Sequence, residues 1–372
     1  MKNLVKLGSL TSIRTGKLDA NASSENGKYP FFTCSKEPLR IDSYSYNCEC
    51  VLVAGNGDLN VKYYDGKFDA YQRTYIIEST DKSKLLVKYL YFFLDIYVEV
   101  LRTQSIGGVI KYIKLGNLTD AMIPLPSIEE QEVIVDHLEK CNDLLNRRIR
   151  QLAILDQLVK SRFIELFGNY INEGGKPLSE LATITGGLTK NSKRNAFNLK
   201  MPYLRVANVF FNRLDLNEIL EIGVREDEIG KTLLQTGDLL FVEGNGSIEQ
   251  IGRVAIWDGS ISPILHQNHL IKARFHKKTI LPEFALFYFM SQEGRQQIIS
   301  KSVSTSGLNT LSVNKISSLI LPMPPIELQK QFAAFVAQTD KSKYYSQKFL
   351  TLCRLAVNIY EQEWMKCQTL IF

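Results

Sequence analysis

A long internal repeat is the feature that most constrains the fold of this 372-residue chain. Residues 123–131 read Ile-Pro-Leu-Pro-Ser-Ile-Glu-Glu-Gln, and residues 321–329 repeat them as Leu-Pro-Met-Pro-Pro-Ile-Glu-Leu-Gln. Shorter echoes keep the same order along the chain while their spacing grows. They match residues 29–32 with 201–204, 51–57 with 240–246, and 70–73 with 265–268. This order predicts two copies of one large unit in series, because a solenoid would need three or more short repeats.

Each copy of the repeat opens a segment that contains no Gly or Pro. Residues 127–167 and 326–366 each allow a helix of about 40 residues, or about 60 Å. Ser127 and Glu130 form a predicted capping box, and Gly168 is expected to end the first helix. Two lines of residues recur at heptad spacing on this helix, one through Ile134, Cys141, Arg148, Leu155 and Arg162, and the other through Leu138, Leu145, Leu152, Val159 and Leu166.

The second segment carries its own apolar line, which runs through Phe332, Phe335, Phe349, Cys353, Ala356 and Tyr360. Two helices of matched length in one chain can pair along such lines, antiparallel or otherwise. We favour this pairing over the alternative that each helix packs only on its own domain.

The remaining parts of the chain mix short apolar runs with Gly, Asn and Asp. Residues 50–54 and 238–242 are predicted strands that enter tight turns at residues 55–57 and 244–246. Apolar helical stretches follow at residues 84–101 and 282–299. The predicted fold class is α+β, with recognition domains at residues 1–122 and 169–320 and helical regions at 123–168 and 321–372.

Charge and composition restrict the function classes. The chain has 45 Lys and Arg against 39 Asp and Glu, a net charge of +6, and each globular part carries +3 of it. This balance allows nucleic acid as a partner without requiring it. No run of 18 or more apolar residues and no secretory signal is found, and the six Cys lack metal spacing, so we expect a cytoplasmic location without a membrane.

The sequence contains no recognisable catalytic motif. Residues 229–232 read Ile-Gly-Lys-Thr, but six residues separate Gly223 from Gly230, where a phosphate-binding loop needs four between its glycines. There is no Asn-Pro-Pro-Tyr-like tetrapeptide for amino methylation and no Pro-Asp pair for a nuclease. His266 and His269 could ligate a metal, but a hydrogen-bonding role is favoured. The sequence therefore predicts a binding protein without catalytic, cofactor-binding or metal-binding residues.

The duplicated Leu-Pro-x-Pro-x-Ile-Glu-x-Gln entry to a long helix resembles the specificity subunit of Type I restriction–modification enzymes. Four shorter segments also match sequence patterns of this family: residues 29–32, 55–57, 267–269 and 306–310. The resemblance implies two target-recognition domains that each read one half of a bipartite, asymmetric double-stranded DNA site. The helices would form an antiparallel coiled coil that sets the spacer and docks two methyltransferase subunits, joined by restriction subunits. S-adenosylmethionine, ATP and Mg²⁺ would then belong to those partners.

Bases are read by Arg or Lys at guanine and by Asn or Gln at adenine, while other cations bind phosphate. The candidates in the first domain are Arg14, Lys17, Lys36, Asn56, Lys67, Gln72, Arg73 and Lys111. Those in the second domain are Lys190, Lys193, Arg194, Arg205, Asn208, Asn245, Gln267, Asn268 and Ser306. Two alternatives stay open at this point: a self-sufficient methyltransferase or endonuclease with a cryptic site, and a coiled-coil scaffold that binds protein.

Overall fold

The computed structural model describes residues 3–276, 279–305 and 307–369, and the chain divides into two compact units. Unit 1 comprises Met1–Gln151 and Ser346–Phe372, and unit 2 comprises Leu152–Tyr345. Both boundaries fall inside a long helix, so each unit contains part of both long helices.

Unit 1 is an α+β unit. Its strands are β1 (Leu4–Lys6), β2 (Thr11–Thr15), β3 (Tyr29–Phe32), β4 (Leu39–Ile41), β5 (Tyr46–Ala54), β6 (Val61–Ala70), β7 (Thr74–Ser79) and β8 (Met122–Pro124). Its helices are α1 (Val87–Gln104), α2 (Leu115–Thr119) and the first part of α3 (Ile128–Ile171), with 3-10 turns at Leu7–Ser9 and Ala20–Ala22.

Six strands of unit 1 form one sheet in the order β2-β7-β5-β6-β3-β4, antiparallel except for the β3–β6 pair. The predicted strand at residues 50–54 forms the buried end of β5, and all five of its side chains are 0% exposed. Val51 and Val53 pack with α1, whereas Cys50 and Leu52 pack in a separate core with Phe68. A strand buried on both faces explains the unbroken apolar run.

Unit 2 follows the same plan with insertions. Its strands are β9 (Lys176–Pro177), β10 (Ala182–Gly186), β11 (Lys200–Leu204), β12 (Val209–Phe210), β13 (Arg213–Leu214), β14 (Leu220–Gly223), β15 (Leu239–Val242), β16 (Gly244–Asn245), β17 (Val254–Ile256), β18 (Leu265–His266), β19 (Leu270–Phe275), β20 (Val303–Thr305), β21 (Leu308–Thr310) and β22 (Ile320–Leu321). Its helices are α4 (Leu178–Leu181), α5 (Glu226–Thr232), α6 (Pro282–Met290), α7 (Gln292–Lys301), α8 (Val313–Ser317) and part of α9 (Ile326–Thr369), with 3-10 turns at Ser192–Ala196 and Val206–Asn208.

The main sheets of unit 2 have the orders β10-β19-β15-β17 and β14-β11-β18. The second sheet contains a parallel β11–β18 pair, as β3 and β6 form one in unit 1. Short pairs close both globular parts, since β1 joins β8 and β9 joins β22. The two units therefore share one topology, which confirms the duplication and the α+β class.

The two long helices pair antiparallel within each unit. In unit 2 the Lys343 ammonium lies 2.6 Å from the Asp156 carboxylate, while Phe163 packs edge-on against Phe332 with ring centroids 5.4 Å apart. In unit 1 the Arg148 guanidinium lies 5.0 Å from the centroid of the Phe349 ring.

The heptad prediction for α3 is confirmed, because every residue on its two lines is buried or half-buried while most of its other residues are exposed. Arg148 is accommodated on such a line since its flat guanidinium stacks on an aromatic ring. On the second helix the predicted line is confirmed at the described side chains of Phe332, Phe335, Phe349 and Cys353, and those of Ala356 and Tyr360 lie outside the described side chains.

A buried glutamine joins each long helix to its domain. Gln131 accepts from the Leu86 amide at 2.9 Å and donates to the carbonyls of Lys84 and Pro126 at 2.8 and 3.0 Å. Gln329 makes the same three bonds in unit 2, to the Leu281 amide at 2.8 Å, the Thr279 carbonyl at 3.1 Å and the Pro324 carbonyl at 2.9 Å. These bonds fix the last residue of the domain's loop before α1 or α6 to the first turn of α3 or α9.

Two local predictions need correction. The first long helix passes through Gly168 to Ile171, because the roughly 1 kcal/mol cost of one helical Gly is outweighed by the burial of Phe167 in the core. The helix ends before Gly174, whose φ of +86° suits glycine. The stretch at residues 282–299 is two helices, because Ser291 caps α7 by accepting from the Gly294 amide at 3.3 Å.

The capping box at the start of α3 is confirmed. The Ser127 amide donates to the Glu130 carboxylate at 3.1 Å, and the Glu130 amide donates to the Ser127 hydroxyl at 3.3 Å. Among the described residues, no helix joins sufficient length to sufficient apolar character to cross a lipid bilayer.

Candidate nucleic-acid interface

Four loop segments of unit 1 meet at one end of the sheet, and we call them the unit 1 loop cluster: residues 16–18, 55–57, 71–73 and 106–113. The Gly55 amide donates to the Arg73 carbonyl at 2.7 Å, and the Gly57 amide donates to the Lys111 carbonyl at 2.9 Å. The Gln72 amide donates to the Leu18 carbonyl at 2.9 Å. Backbone bonds between loops therefore hold this surface in place.

Gly16 permits the close approach of these segments. A Cβ at this position would lie 2.1 Å from the Ala70 carbonyl oxygen and 2.4 Å from that of Tyr71. Gly187 occupies the same place in unit 2, where a Cβ would lie 2.1 Å from the His266 carbonyl oxygen. Only glycine fits at either position without moving the backbone.

A cavity of about 310 Å³ opens within the unit 1 loop cluster. Its lining consists of Thr15, Gly55, Gln72, Arg73, Tyr75 and Ile113. The amide of Gln72 can read a base edge by paired donor and acceptor, and the exposed guanidinium of Arg73 can bind guanine or phosphate. The surface thus offers side chains suited to a nucleic acid.

The structure brings five of the eight first-domain candidates together. Lys17, Asn56, Gln72, Arg73 and Lys111 all belong to the unit 1 loop cluster. Lys36 is exposed, with its ammonium 3.9 Å from the Asp58 carboxylate.

Arg14 and Lys67 lie outside this cluster. The Arg14 guanidinium is 2.6 Å from the Glu78 carboxylate and 5.0 Å from the centroid of the Tyr46 ring. The Lys67 ammonium covers the Tyr44 ring at 4.8 Å. Both cations thus have partners within unit 1.

Unit 2 builds a loop cluster with the same backbone bonds, and we call residues 187–190, 243–252, 267–269 and 307–311 the unit 2 loop cluster. The Glu243 amide donates to the His269 carbonyl at 2.9 Å, as Gly55 does to Arg73. The Asn268 amide donates to the Leu188 carbonyl at 3.0 Å, as Gln72 does to Leu18. The two units present the same loop framework with different side chains.

These bonds correct the sequence alignment of the two copies by one residue. The strand ladders pair Val51 with Ile77 and Leu239 with Ala273, so residue 51 corresponds to residue 239 rather than 240. Likewise His269, not Asn268, occupies the place of Arg73. The repeated Gly-Asn-Gly letters are therefore not equivalent in space.

The predicted tight turn at residues 244–246 is also wrong. Gly244 and Asn245 form β16, which pairs with β21, because the real connection between β15 and β17 runs through residues 243–253. In unit 1, Asn56 pairs with Tyr112 in the matching position. Each framework thus carries a hairpin beside its Gly-Asn-Gly segment, and in unit 1 this loop has Val109 fully exposed and Ile110 62% exposed.

The second-domain candidates divide into three groups. Asn245, Gln267 and Asn268 lie half-buried in the unit 2 loop cluster, and Lys190 and Lys193 are exposed at or just beyond its edge. Ser306 lies outside the described residues.

The third group, Arg194, Arg205 and Asn208, is engaged inside the fold. Arg194 is 8% exposed and binds the Gly223 carbonyl at 3.0 Å and the Glu228 carboxylate at 2.8 Å. Asn208 is 3% exposed; its amide donates to the Asp215 and Glu218 carbonyls and accepts from the Arg205 amide. The Arg205 guanidinium lies 2.7 Å from the Glu218 carboxylate. Arg194 and Asn208 are no longer candidates for DNA binding, because both side chains are buried and hydrogen-bonded inside unit 2 and cannot contact DNA.

The Arg194–Glu228 pair leads to a prediction about acid stability. Hydrogen bonding to Arg194 lowers the pKa of Glu228 below its ordinary value of 4.5. The stability that this carboxylate contributes is therefore present above pH 4.5 and is lost as pH falls through its folded pKa. We expect Glu228→Gln to be less stable at neutral pH and to lose less further stability between pH 5 and 3, measured by urea unfolding.

The matched control is Glu226→Gln, which removes an exposed carboxylate from the same helix α5. It should keep the acid dependence of the original chain. Equal acid dependence for the Glu228 variant and the original chain would refute a structural role for this pair.

His266 and His269 have separate partners. The buried His266 Nδ1 lies 2.8 Å from the Thr232 carbonyl oxygen, and burial and the neighbouring Lys272 lower its pKa to about 4. The exposed His269 Nδ1 lies 2.8 Å from the Glu243 carboxylate. In the part of the chain that the structure describes, no three His, Cys, Asp or Glu side chains form a metal-binding group. His269 joins the candidates for the interface, because its carbonyl accepts from the Glu243 amide as that of Arg73 does from Gly55.

A family model and two relatives of this chain agree on one protein family. A family model described as "Type I restriction modification DNA specificity domain" matches residues 2–153 and 175–348. The Type I restriction enzyme EcoDI specificity subunit of Escherichia coli is 39% identical over 158 residues, which are 42% of this chain and 34% of that protein. The EcoKI specificity subunit of Escherichia coli strain K12 is 30% identical over 268 residues, 66% of this chain and 56% of that protein.

The chain thus spans about a third and just over half the length of these two relatives. Among solved structures, the S subunit of a Type I restriction–modification system from M. genitalium superposes with a TM-score of 0.64 at 17% identity. This superposition covers 96% of this chain and 94% of that one. At this identity the likeness concerns the fold alone, and it confirms the predicted architecture.

Proposed function

This chain belongs to the Type I restriction modification DNA specificity domain family, and from that premise we propose that it is the DNA-recognition subunit of a Type I restriction–modification complex. Unit 1 would read one half of a bipartite, asymmetric DNA site and unit 2 the other. The chain would bind DNA without catalysing a reaction on it.

One observation carries this proposal: the same loop framework is built twice and holds different side chains. Gln72 and Arg73 occupy the positions that Asn268 and His269 occupy in unit 2. An amide that can pair with adenine is kept, whereas a cation that can pair with guanine is replaced by an imidazole. The same loop framework with different base-contacting side chains is suited to two different half-sites.

The partners would bind the long helices. Within unit 1, α3 exposes Leu144 and Ile149, which are 42% and 49% accessible. Within unit 2, Ile154 and Tyr344 are 64% and 59% accessible. Large apolar side chains on an otherwise polar helix favour a protein contact, and two methyltransferase subunits and the restriction subunits are the expected partners.

The chemistry would belong to these partners. We assign S-adenosylmethionine, ATP and Mg²⁺ to them, in keeping with the sequence, which contains no phosphate-binding loop and no amino-methylation tetrapeptide.

The test is binding of duplex DNA by the full chain assembled with the methyltransferase subunits of its host. We expect the logarithm of the binding constant to fall linearly with the logarithm of the salt concentration. We expect no methyl transfer from labelled S-adenosylmethionine by the chain alone. Methyl transfer by the isolated chain would instead establish an enzyme. An assembled complex without salt-dependent DNA binding would contradict the proposal and favour a protein-binding scaffold.

A further inference from the structure

A short hairpin of unit 2 gathers arginines around two phenylalanine rings. Phe211 and Asn212 join strands β12 and β13. Asn212 has a φ of 46°, which allows the tight turn. The guanidinium carbons of Arg213 and Arg253 lie 4.3 and 5.1 Å from the centroid of the Phe210 ring. We call Phe210, Phe211, Arg213, Arg253 and Arg295 the arginine–phenylalanine patch, since Arg295 lies 5.0 Å from the centroid of the Phe211 ring.

The positive charge of this patch is not neutralised within the described part of the chain. None of its three arginines has a carboxylate oxygen within 4.0 Å there. The other described arginines of unit 2 differ, because each has a carboxylate between 2.7 and 3.4 Å away. They are Arg162, Arg194, Arg205, Arg225 and Arg274. Three neighbouring cations without counter-charges create a local positive potential that attracts an anion.

Two of these cations are also partly removed from water. Burial lowers the pKa of both Arg253 and Arg295. The Arg253 Nε is buried and has no hydrogen-bond partner in the described structure. Holding a charged group half-buried with an unpaired donor is unfavourable, and an anion beside the outer N–H groups of the guanidinium would offset part of that cost.

The patch borders the unit 2 loop cluster. Arg253 directly follows residues 243–252, and the Asn212 amide donates to the Val254 carbonyl at 2.8 Å. Arg295 donates to the Ile251 carbonyl at 2.7 Å and to the Glu249 carbonyl at 3.1 Å, so it fixes the far end of the same loop. The patch therefore adjoins residues 249–252, which form one end of the unit 2 loop cluster.

We propose that Arg213 and Arg253 bind the phosphodiester backbone of DNA beside the half-site that unit 2 reads, and that Arg295 positions the adjoining loop. The proposal rests on the DNA-recognition function proposed above and names the groups that would position unit 2 on the duplex. Stacking on Phe210 fixes the guanidinium planes. Arg253 donates one N–H to the Val206 carbonyl at 3.3 Å, whereas the Arg213 guanidinium makes no hydrogen bond to a described residue and can offer its N–H groups to phosphate oxygens. Such contacts give affinity without sequence information.

The experiment measures DNA binding by the assembled complex over a range of salt concentrations. The probes are a random-sequence duplex and a duplex that carries the recognised site. For Arg213→Gln we expect the slope of log K against log salt to become less negative by about one. Binding to both duplexes should weaken about tenfold at low salt. Arg253→Lys keeps the charge, so it should keep most of the slope.

The matched control is Arg225→Gln, which removes an exposed arginine of unit 2 that already pairs with Asp227 at 3.4 Å. Its slope should equal that of the original chain. Because Arg213 is exposed, its substitution should leave the thermal unfolding midpoint unchanged, which separates lost contact from lost folding.

Three results would overturn the proposal. An unchanged slope for Arg213→Gln in a complex that binds DNA would refute the phosphate contact and leave the proposed function standing. An unchanged slope with weaker association of the partner subunits would assign the patch to protein binding. If the unaltered complex itself does not bind DNA, the proposed function fails and this proposal fails with it.

Discussion

Replacing Gln329 with Met should lower the thermal unfolding midpoint by roughly 6–12 °C, which corresponds to about 3 kcal/mol for a unit of this size. Met keeps the length of the side chain but removes its amide. Gln329 is 0% exposed, so the Leu281 amide and the Thr279 and Pro324 carbonyls would lose their partner without gaining water. Calorimetry on the full chain measures the change.

The control is Gln331→Met, which makes the same substitution at an exposed position of α9. It should shift the midpoint by less than 1–2 °C, in keeping with the roughly 0.5 kcal/mol range of surface substitutions. Gln131→Met should reproduce the large effect in unit 1, because Gln131 makes the same three bonds. Equal midpoints for the Gln329 and Gln331 variants would refute the anchoring role.

Replacing Gly187 with Ala should destabilise unit 2 by about 3 kcal/mol, because the new methyl meets backbone that cannot yield cheaply. Its Cβ would lie 2.1 Å from the His266 carbonyl oxygen and 2.5 Å from that of Gln267. Relieving this overlap separates the segments and breaks the bond from the Leu188 amide to the His266 carbonyl, which is 2.8 Å long. Urea unfolding measures the loss, and DNA binding by unit 2 should weaken with it.

The neighbouring Gly186→Ala is the control for this prediction. Its Cβ would meet nothing closer than Val313 Cγ2 at 3.7 Å, an ordinary contact, and neither glycine has a positive φ. This variant should be within about 1 kcal/mol of the original chain. If Ala at residue 187 is tolerated equally well, the close packing of the loop cluster is not what holds it together.

The features that depend on neighbouring residues could be predicted from the sequence. The heptad lines of α3 follow from helical periodicity, and the Ser127–Glu130 capping box follows from a spacing of three residues. The buried strand at residues 50–54 is visible as an apolar run. The Ile-Pro-Leu-Pro and Leu-Pro-Met-Pro entries to the two long helices predict the duplication, because each recurs with its whole context.

The features that failed depend on partners distant in the chain. Arg194 looks like a surface cation, but Glu228 and the Gly223 carbonyl draw it inside. Similar residues in the two copies suggest an alignment that is one residue out of register, whereas the strand ladders put His269 at the place of Arg73. Arg213, Arg253 and Arg295 lie far apart in sequence, so only the fold shows that they share two phenylalanine rings.

The central claim is that each unit reads one half of a DNA site through its loop cluster. The most direct measurement is a map of methylated adenines in DNA from cells that carry this chain with its partners, repeated for Gln72→Ala and Asn268→Ala. We expect a bipartite site with a fixed spacer, in which each variant relaxes or changes a different half. A continuous site, or a change of both halves by a variant that still folds, would contradict the account.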